Sequence, residues 1–192
     1  MNLKKLLFAA VIVLSANATF AQDTKIASHL VTISIPEVAL LDLEAPSTAI
    51  TLAATLPALA EAGLPITFGA EATNSTIWMN YSSIVKGALL RNVSVAITDG
   101  SVPTGLKLTV EASAASGDGA GTKGAASTVL TLTGDLQSII TGIGSTWTGD
   151  GVNKGRNLTY TLDYAGTTTD YADLRFVDTD APLTITYTLS DI

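Results

Sequence analysis

Apolar and polar residues alternate with a period of two along most of the chain, which is the pattern of half-buried β-strands. In the octet HLVTISIP at residues 29–36, Val31, Ile33 and Ile35 fall on one face of a predicted strand, and the residues between them fall on the other. The same alternation predicts further strands at residues 37–44, 48–53, 75–81, 91–98, 105–112, 127–133, 156–164 and 182–190. The pattern therefore predicts a chain built mostly of strands.

Turn-forming residues lie between these strands and indicate how the strands are connected. Asp99-Gly100 follows one predicted strand, and Gly-Asp-Gly triplets at residues 117–119 and 149–151 precede two others. Many short strands with such turns, and no repeating helix, are typical of antiparallel sheets. We therefore expect an all-β fold, an antiparallel β-sandwich of immunoglobulin-like or jelly-roll-like type, over residues 22–192 as a single domain.

Three stretches depart from the strand pattern. LPALAEA at residues 56–62 and DLQSIIT at residues 135–141 have the composition of short helices, and each is followed by glycine. We expect one or two short helical turns there, at the ends of the sheet. The segment at residues 112–126 is rich in Gly, Ala and Ser, which predicts a long hairpin loop.

The N-terminus has the pattern of a secretory signal peptide. Lys4 and Lys5 precede an apolar run at residues 6–16, and small residues follow, with a cleavage site predicted after Ala21. The run is shorter than the roughly 20 residues that a membrane-spanning helix needs. We therefore expect residues 1–21 to be removed, the rest to carry no membrane span, and the protein to be secreted or displayed on the cell surface.

Composition narrows the function further. The formal charge of −7 becomes −9 once Lys4 and Lys5 are removed with the signal peptide, and the remaining basic residues are scattered. Nucleic-acid binding depends on clustered Lys and Arg, so a nucleic-acid partner is not expected. The chain contains no cysteine, which leaves the exported domain without disulfides and dependent on its core.

Catalytic patterns are absent from the sequence. His29 is the single histidine, and no nucleophile elbow, phosphate-binding loop or zinc-type spacing occurs. Carboxylates are numerous, but nothing in their spacing selects the pair that a glycosidase needs. We expect a protein that is not an enzyme and that has no organic cofactor.

Calcium is the candidate metal ion, because protein oxygen atoms alone can serve as its ligands. Two acidic loops offer such atoms: GDGVNKG, with Asp150 and Asn153, and DTDAP, with Asp178 and Asp180. Neither loop has EF-hand spacing. The alternative is that both are ordinary Asp-Gly or Asp-rich turns.

Aromatic residues suggest that the protein has a polysaccharide-binding surface. Trp147 lies in the polar, glycine-rich stretch GSTWTGDG, and Tyr160 and Tyr164 follow on the next predicted strand. Such side chains combine an apolar face with a polar edge, as a sugar ring requires. Trp78 belongs to the same set of aromatic residues, but it alternates with Ile77 and Met79 inside a predicted strand, so the alternative for Trp78 is a position in the core.

Self-association is a third kind of function, and it rests on the two ends of the domain. Strand addition completes the free edge of a sheet with a strand from another chain. Val31, Ile33 and Ile35 form an alternating apolar strand that suits this role, and the alternative is that they form the first strand of the protein's own sheet. Near the other end, Leu183, Ile185 and Tyr187 alternate in the same way. We therefore interpret these six residues as candidate assembly positions, in contact with copies of the chain or with other surface subunits.

The combined features resemble fimbrial or pilus subunits of bacteria, including the chaperone-usher kind. The resemblance rests on the signal peptide, the acidic Thr/Val/Ala/Gly-rich β domain, the alternating segment HLVTISIP and the terminal strand LTITYTLS. It implies a fimbria-like filament subunit that acts in adhesion and self-assembles through edge-strand complementation. Two departures stand against it, since many such subunits carry a disulfide and place a tyrosine next to last, whereas here Tyr187 lies further from the end.

Overall fold

The computed structural model describes residues 25–46, 49–54, 61–166, 168–175 and 182–192. The strands within these residues are β1 Val38–Glu44, β2 Thr73–Ile84, β3 Arg91–Asp99, β4 Leu106–Ala112, β5 Ala120–Ala126, β6 Leu130–Thr131, β7 Gln137–Trp147, β8 Arg156–Tyr164 and β9 Thr184–Asp191. Single 3-10 turns occur at Ala70–Ala72 and Thr168–Asp173. No helix in the described part of the chain is long and apolar enough to cross a membrane. The predicted signal peptide lies outside the described residues.

All the strand pairs are antiparallel, and the strands follow the order β6-β4-β8-β2-β7-β3-β9. Two strands branch from this order, because β1 pairs with β2 and β5 pairs with β7. The prediction of an antiparallel all-β fold is confirmed. Its division into the two facing layers of a sandwich stays a prediction. Residues 36–192 form one compact unit, to which the described residues before Pro36 do not belong.

The core of this unit lies on the inward faces of β2, β3, β4, β7 and β8. Its fully buried side chains are Met79, Val93, Val95, Val110, Ile139, Ile140, Ile143 and Leu158. Tyr160 of β8 and Tyr187 of β9 meet inside, with their hydroxyl oxygens 2.7 Å apart. These strands are four places apart in the hydrogen-bonded order, so the sheet must curve strongly to join them.

Burial of this tyrosine pair changes its chemistry. Desolvation raises the pKa of both phenols, and for Tyr187 the neighbouring Tyr160 raises the pKa further. Tyr81 of β2 is also buried, and desolvation raises its pKa, although the guanidinium of Arg156 opposes that shift. Arg156 is itself buried and donates to carbonyls of Ser113, Lys123 and Gly124. These polar groups join strands that are distant in sequence.

The helix predicted at residues 135–141 is wrong, because residues 137–141 form the first part of strand β7. The register of β3 against β7 shifts between Val93, which faces Ile140, and Ser94, which faces Ser138. A β-bulge of this kind adds a residue to one strand, and here both Ile139 and Ile140 are buried. Two consecutive buried residues break the period of two, and short apolar runs of this kind do not distinguish a strand from a helix.

The predicted loop at residues 112–126 is also wrong in its second half, which forms β5 against β7. Gly121 and Gly124 have positive φ angles, and a Cβ on them would lie 2.1 Å and 2.6 Å from carbonyl oxygens of β7. The glycines therefore permit a close approach of two strands rather than a flexible loop.

Three other expectations have mixed outcomes. The strand expected at residues 127–133 is reduced to Leu130–Thr131. Residues 49–54 belong to no strand, so the strand expected at residues 48–53 is wrong where it is described. The helix expected at residues 56–62 lies mostly outside the described residues. The two 3-10 turns lie elsewhere in the chain from the predicted helices.

Candidate functional site

Residues 29–36, which we call the N-terminal arm, belong to no strand of the described structure. The apolar side chains of Val31, Ile33 and Ile35 are 65%, 83% and 73% exposed. His29 is exposed as well. A segment with three exposed apolar side chains is unusual, because contiguous exposed apolar surface tends to mark an interaction site.

Strand β9 is an edge strand with an incompletely covered apolar face. It pairs with β3 from Arg91↔Asp191 to Asp99↔Thr184, and no described strand pairs with its other edge. Leu183, Ile185 and Tyr187 pack against the core but remain only partly buried. The arm and this edge thus contain all six candidate assembly residues.

Arg91 connects the residue after the arm to the end of β9. Its guanidinium, on a side chain only 2% exposed, donates to the carboxylate of Glu37 and, over 2.7 Å, to that of Asp191. It also donates to the carbonyl of Val38 and to the hydroxyl of Ser83, the latter over 3.1 Å. One buried cation thereby holds the starts of β1 and β3 and the end of β9 together.

A second candidate site is a cleft of about 470 Å³ around Trp147. Strand register builds it, since Leu40 of β1 faces Ser82 of β2 and Ser82 faces Trp147 of β7. Directly paired residues share a face of a sheet, so these three side chains form one row on the outer face. Trp147 is 50% and Leu40 is 66% exposed, with the smaller Ser82 between them.

Polar groups close one end of this cleft. Asp42 faces Asn80 in the next row of the same face, and both residues line the cleft. The loop after β7 folds over Asn80, whose amide donates to the carbonyl of Gly151 over 3.0 Å. Asp150 of that loop also lines the cleft. The same loop ends at Gly155, which lies so close to β2 that a Cβ there would come within 2.2 Å of the Met79 carbonyl.

The candidate calcium residues have different positions. Carboxylate oxygens of Asp42, Glu44 and Asp150 lie within 4.8 Å of one another. Asn153, in the same loop as Asp150, has a φ of +64°. Asp178 and Asp180 lie outside the described residues. Three carboxylates supply three to six of the six to eight oxygens that calcium takes, and calcium binding stays a prediction.

The structure does not group the three candidate aromatic residues. Tyr160 is buried against Tyr187, and the ring of Tyr164 packs edge-on against Phe68 at a centroid distance of 4.8 Å. Trp147 instead lies beside Ser82 of β2 and Leu40 of β1, which no local sequence pattern singles out. These neighbours of Trp147 can be identified only from the register of three strands. The burial of Tyr160, by contrast, follows from its alternation with Leu158.

Comparison with models of protein families, with curated proteins and with solved structures finds no match to this chain.

Proposed function

We propose that the protein is an exported structural subunit of a bacterial surface assembly, in which the N-terminal arm of one copy adds as a strand to the free edge of β9 in the next. The exposure of Val31, Ile33 and Ile35 is the observation that supports this proposal most directly. Pairing of this segment as a strand becomes favourable once a second chain supplies both backbone hydrogen bonds and an apolar surface for its alternating side chains.

The choice of β9 as the acceptor follows from a comparison of the described sheet edges. β6 has only two residues, and β5 contains glycines with positive φ angles that disturb regular pairing. β1 carries Asp42 and Glu44, and charges on an edge oppose strand addition. β9 is uncharged before Asp191 and has three partly buried apolar side chains, Ile185, Tyr187 and Leu189, to match the three of the arm.

The expected strength can be worked out from the exposed side chains. Full burial of a Val or Ile side chain contributes about 1.5–3 kcal/mol. With roughly three-quarters of each arm side chain exposed, the three together contribute about 3–7 kcal/mol. Association itself costs about 4–15 kcal/mol, so backbone pairing along the whole arm must supply the remainder. Loss of one side chain should then disrupt assembly.

A matched pair of substitutions tests the proposal. Ile33→Asp places a charge on the face that would be buried, whereas Thr32→Asp places the same charge on the opposite face of the same segment. Both positions are exposed in the single chain, so neither change should alter thermal unfolding of the monomer. In sedimentation velocity, wild type and Thr32→Asp should form high-mass species, and Ile33→Asp should remain monomeric because its association weakens at least about tenfold. Equal sedimentation of all three proteins contradicts the proposal.

Cysteine pairing identifies the two strands, since the chain has no cysteine of its own. One preparation carries Ser34→Cys in the arm, and the other carries Thr186→Cys or Thr188→Cys in β9. Mixing under mild oxidation should give a disulfide between the two preparations at one of the β9 positions. A control with Leu136→Cys, an exposed position outside the proposed contact, should stay unlinked. If Ser34 and β9 cysteines join only when placed in one chain, the arm completes its own sheet.

A further inference from the structure

The cleft beside Trp147 has the geometry of a slot. Leu40 and Trp147 lie on strands separated by β2, so their Cα atoms are about 10 Å apart, twice the spacing of neighbouring strands. The side chain between them, Ser82, is small. Two apolar walls at this separation, standing on a low polar floor, leave room for one ring between them.

The lining of the slot combines stacking and hydrogen bonding. The half-exposed indole of Trp147 presents an apolar face, and Leu40 presents a second one opposite. Carboxylates of Asp42 and Asp150 at the closed end accept hydrogen bonds, and Ser82 both donates and accepts them. A few polar groups that fix orientation beside apolar walls are the usual composition of a small-molecule site.

We propose that this cleft binds a neutral sugar ring of a polysaccharide. The C–H face of the ring lies against Trp147, and its hydroxyl groups donate to Asp42 and Asp150. The assignment does not depend on the proposed assembly, because the cleft is built by β1, β2 and the end of β7 and includes no residue of the arm or of β9.

The charge of the site selects the class of sugar. Glu44 lies beside Asp42 and Asp150, with carboxylate oxygens of all three within 4.8 Å, and none of these residues forms a salt bridge within the described structure. A uronic acid or other anionic sugar placed there would meet repulsion from three carboxylates. Neutral hexose or pentose units, which donate hydroxyl hydrogens, do not.

Affinity electrophoresis tests this assignment with defined probes: native gels that contain soluble glucan, mannan, xylan or alginate. The protein carries Ile33→Asp, so that assembly does not influence migration. At least one neutral polysaccharide should retard it, and alginate should not. Trp147→Ala should weaken that retardation at least tenfold. Tyr171→Ala, which removes an exposed aromatic side chain outside the cleft, should leave it unchanged.

A second variant separates loss of binding from loss of fold. Ser82→Leu fills the slot while it leaves Trp147 in place, and it too should abolish retardation, with thermal unfolding monitored for each variant. Absence of retardation by every neutral polysaccharide overturns the proposal, and so does retardation by alginate alone. Unchanged retardation of Trp147→Ala also overturns it. If Trp147→Ala, made without Ile33→Asp, loses self-association and no polysaccharide binds, the cleft is a protein contact and the proposal is overturned.

Discussion

Replacement of Arg91 by methionine tests whether its buried guanidinium holds the start of β1 to the rest of the sheet. Methionine keeps much of the length and apolar character of the side chain but removes every donor. The groups that lose a donor are the carbonyls of Val38 and Ile84, the hydroxyl of Ser83 and the carboxylates of Glu37 and Asp191. We expect Arg91→Met to fold but to be strongly destabilised.

The size of the loss follows from where these partners lie. The two carboxylates are 63% and 64% exposed, so water replaces their lost hydrogen bonds at little cost. Ser83 is buried, and a buried polar group without a partner costs about 1–3 kcal/mol. Together with the loss of the hydrogen bond to the Val38 carbonyl, this lowers the free energy of unfolding by about 2–4 kcal/mol. This is a large part of the 5–15 kcal/mol typical of a folded domain.

Urea denaturation with an unchanged m-value measures this loss. Glu37→Gln and Asp191→Asn are the matched controls, because each removes one exposed charge and keeps the side-chain shape. Each control should cost less than about 1 kcal/mol. The reasoning is refuted if Arg91→Met costs less than 1 kcal/mol, or if one control alone costs as much as Arg91→Met.

Two further predictions concern the core and the loop over the cleft. Because burial raises the pKa of Tyr187 and Tyr160, the folded protein keeps both phenols neutral where the unfolded chain, with tyrosine pKa values near 10, ionises them. The free energy of unfolding should therefore fall as the pH rises above about 10, by up to about 1.4 kcal/mol per pH unit for each phenol. Urea titrations at several pH values should show a shallower fall for Tyr187→Phe, and an unaltered slope of free energy against pH contradicts the prediction. Gly155→Ala should lower the free energy of unfolding by more than about 2 kcal/mol, because its Cβ would meet a backbone carbonyl at 2.2 Å. The control Gly151→Ala, with φ of +99° and no atom near the added Cβ, should lower it by about 1–2 kcal/mol. Equal melting temperatures of the two variants would show that no clash exists.

The sequence predicts a strand well where one face of that strand is buried throughout. Residues 156–164 were predicted from alternation alone, and β8 has the same bounds because Arg156, Leu158 and Tyr160 all face the core. β7 could not be predicted in this way, because the bulge opposite β3 buries Ile139 and Ile140 together. A bulge depends on the partner strand, and the partner is set by contacts far away in sequence.

The candidate sites show the same division between local and long-range information. The alternation of Val31, Ile33 and Ile35 is local, and it makes the arm a candidate assembly strand from the sequence alone. The cleft is different, because Leu40 and Trp147 are more than 100 positions apart and come together only through their common neighbour Ser82. No local pattern contains that row, so Trp147 was selected without the residues that surround it.

The position of Arg91 gives the proposed assembly a mechanical consequence. Under that assembly, tension enters each subunit through its arm, which continues directly into Glu37, and leaves through β9, which ends at Asp191. Arg91 binds both of these carboxylates and belongs to β3, the strand that pairs along β9. The load therefore passes through a buried cation and an antiparallel ladder, and the strands that build the cleft lie largely outside this path. A subunit arranged in this way can be pulled from both ends while the slot beside Trp147 keeps its shape. If both proposals hold, an assembled filament should therefore bind the proposed sugar ring as tightly as the monomer does.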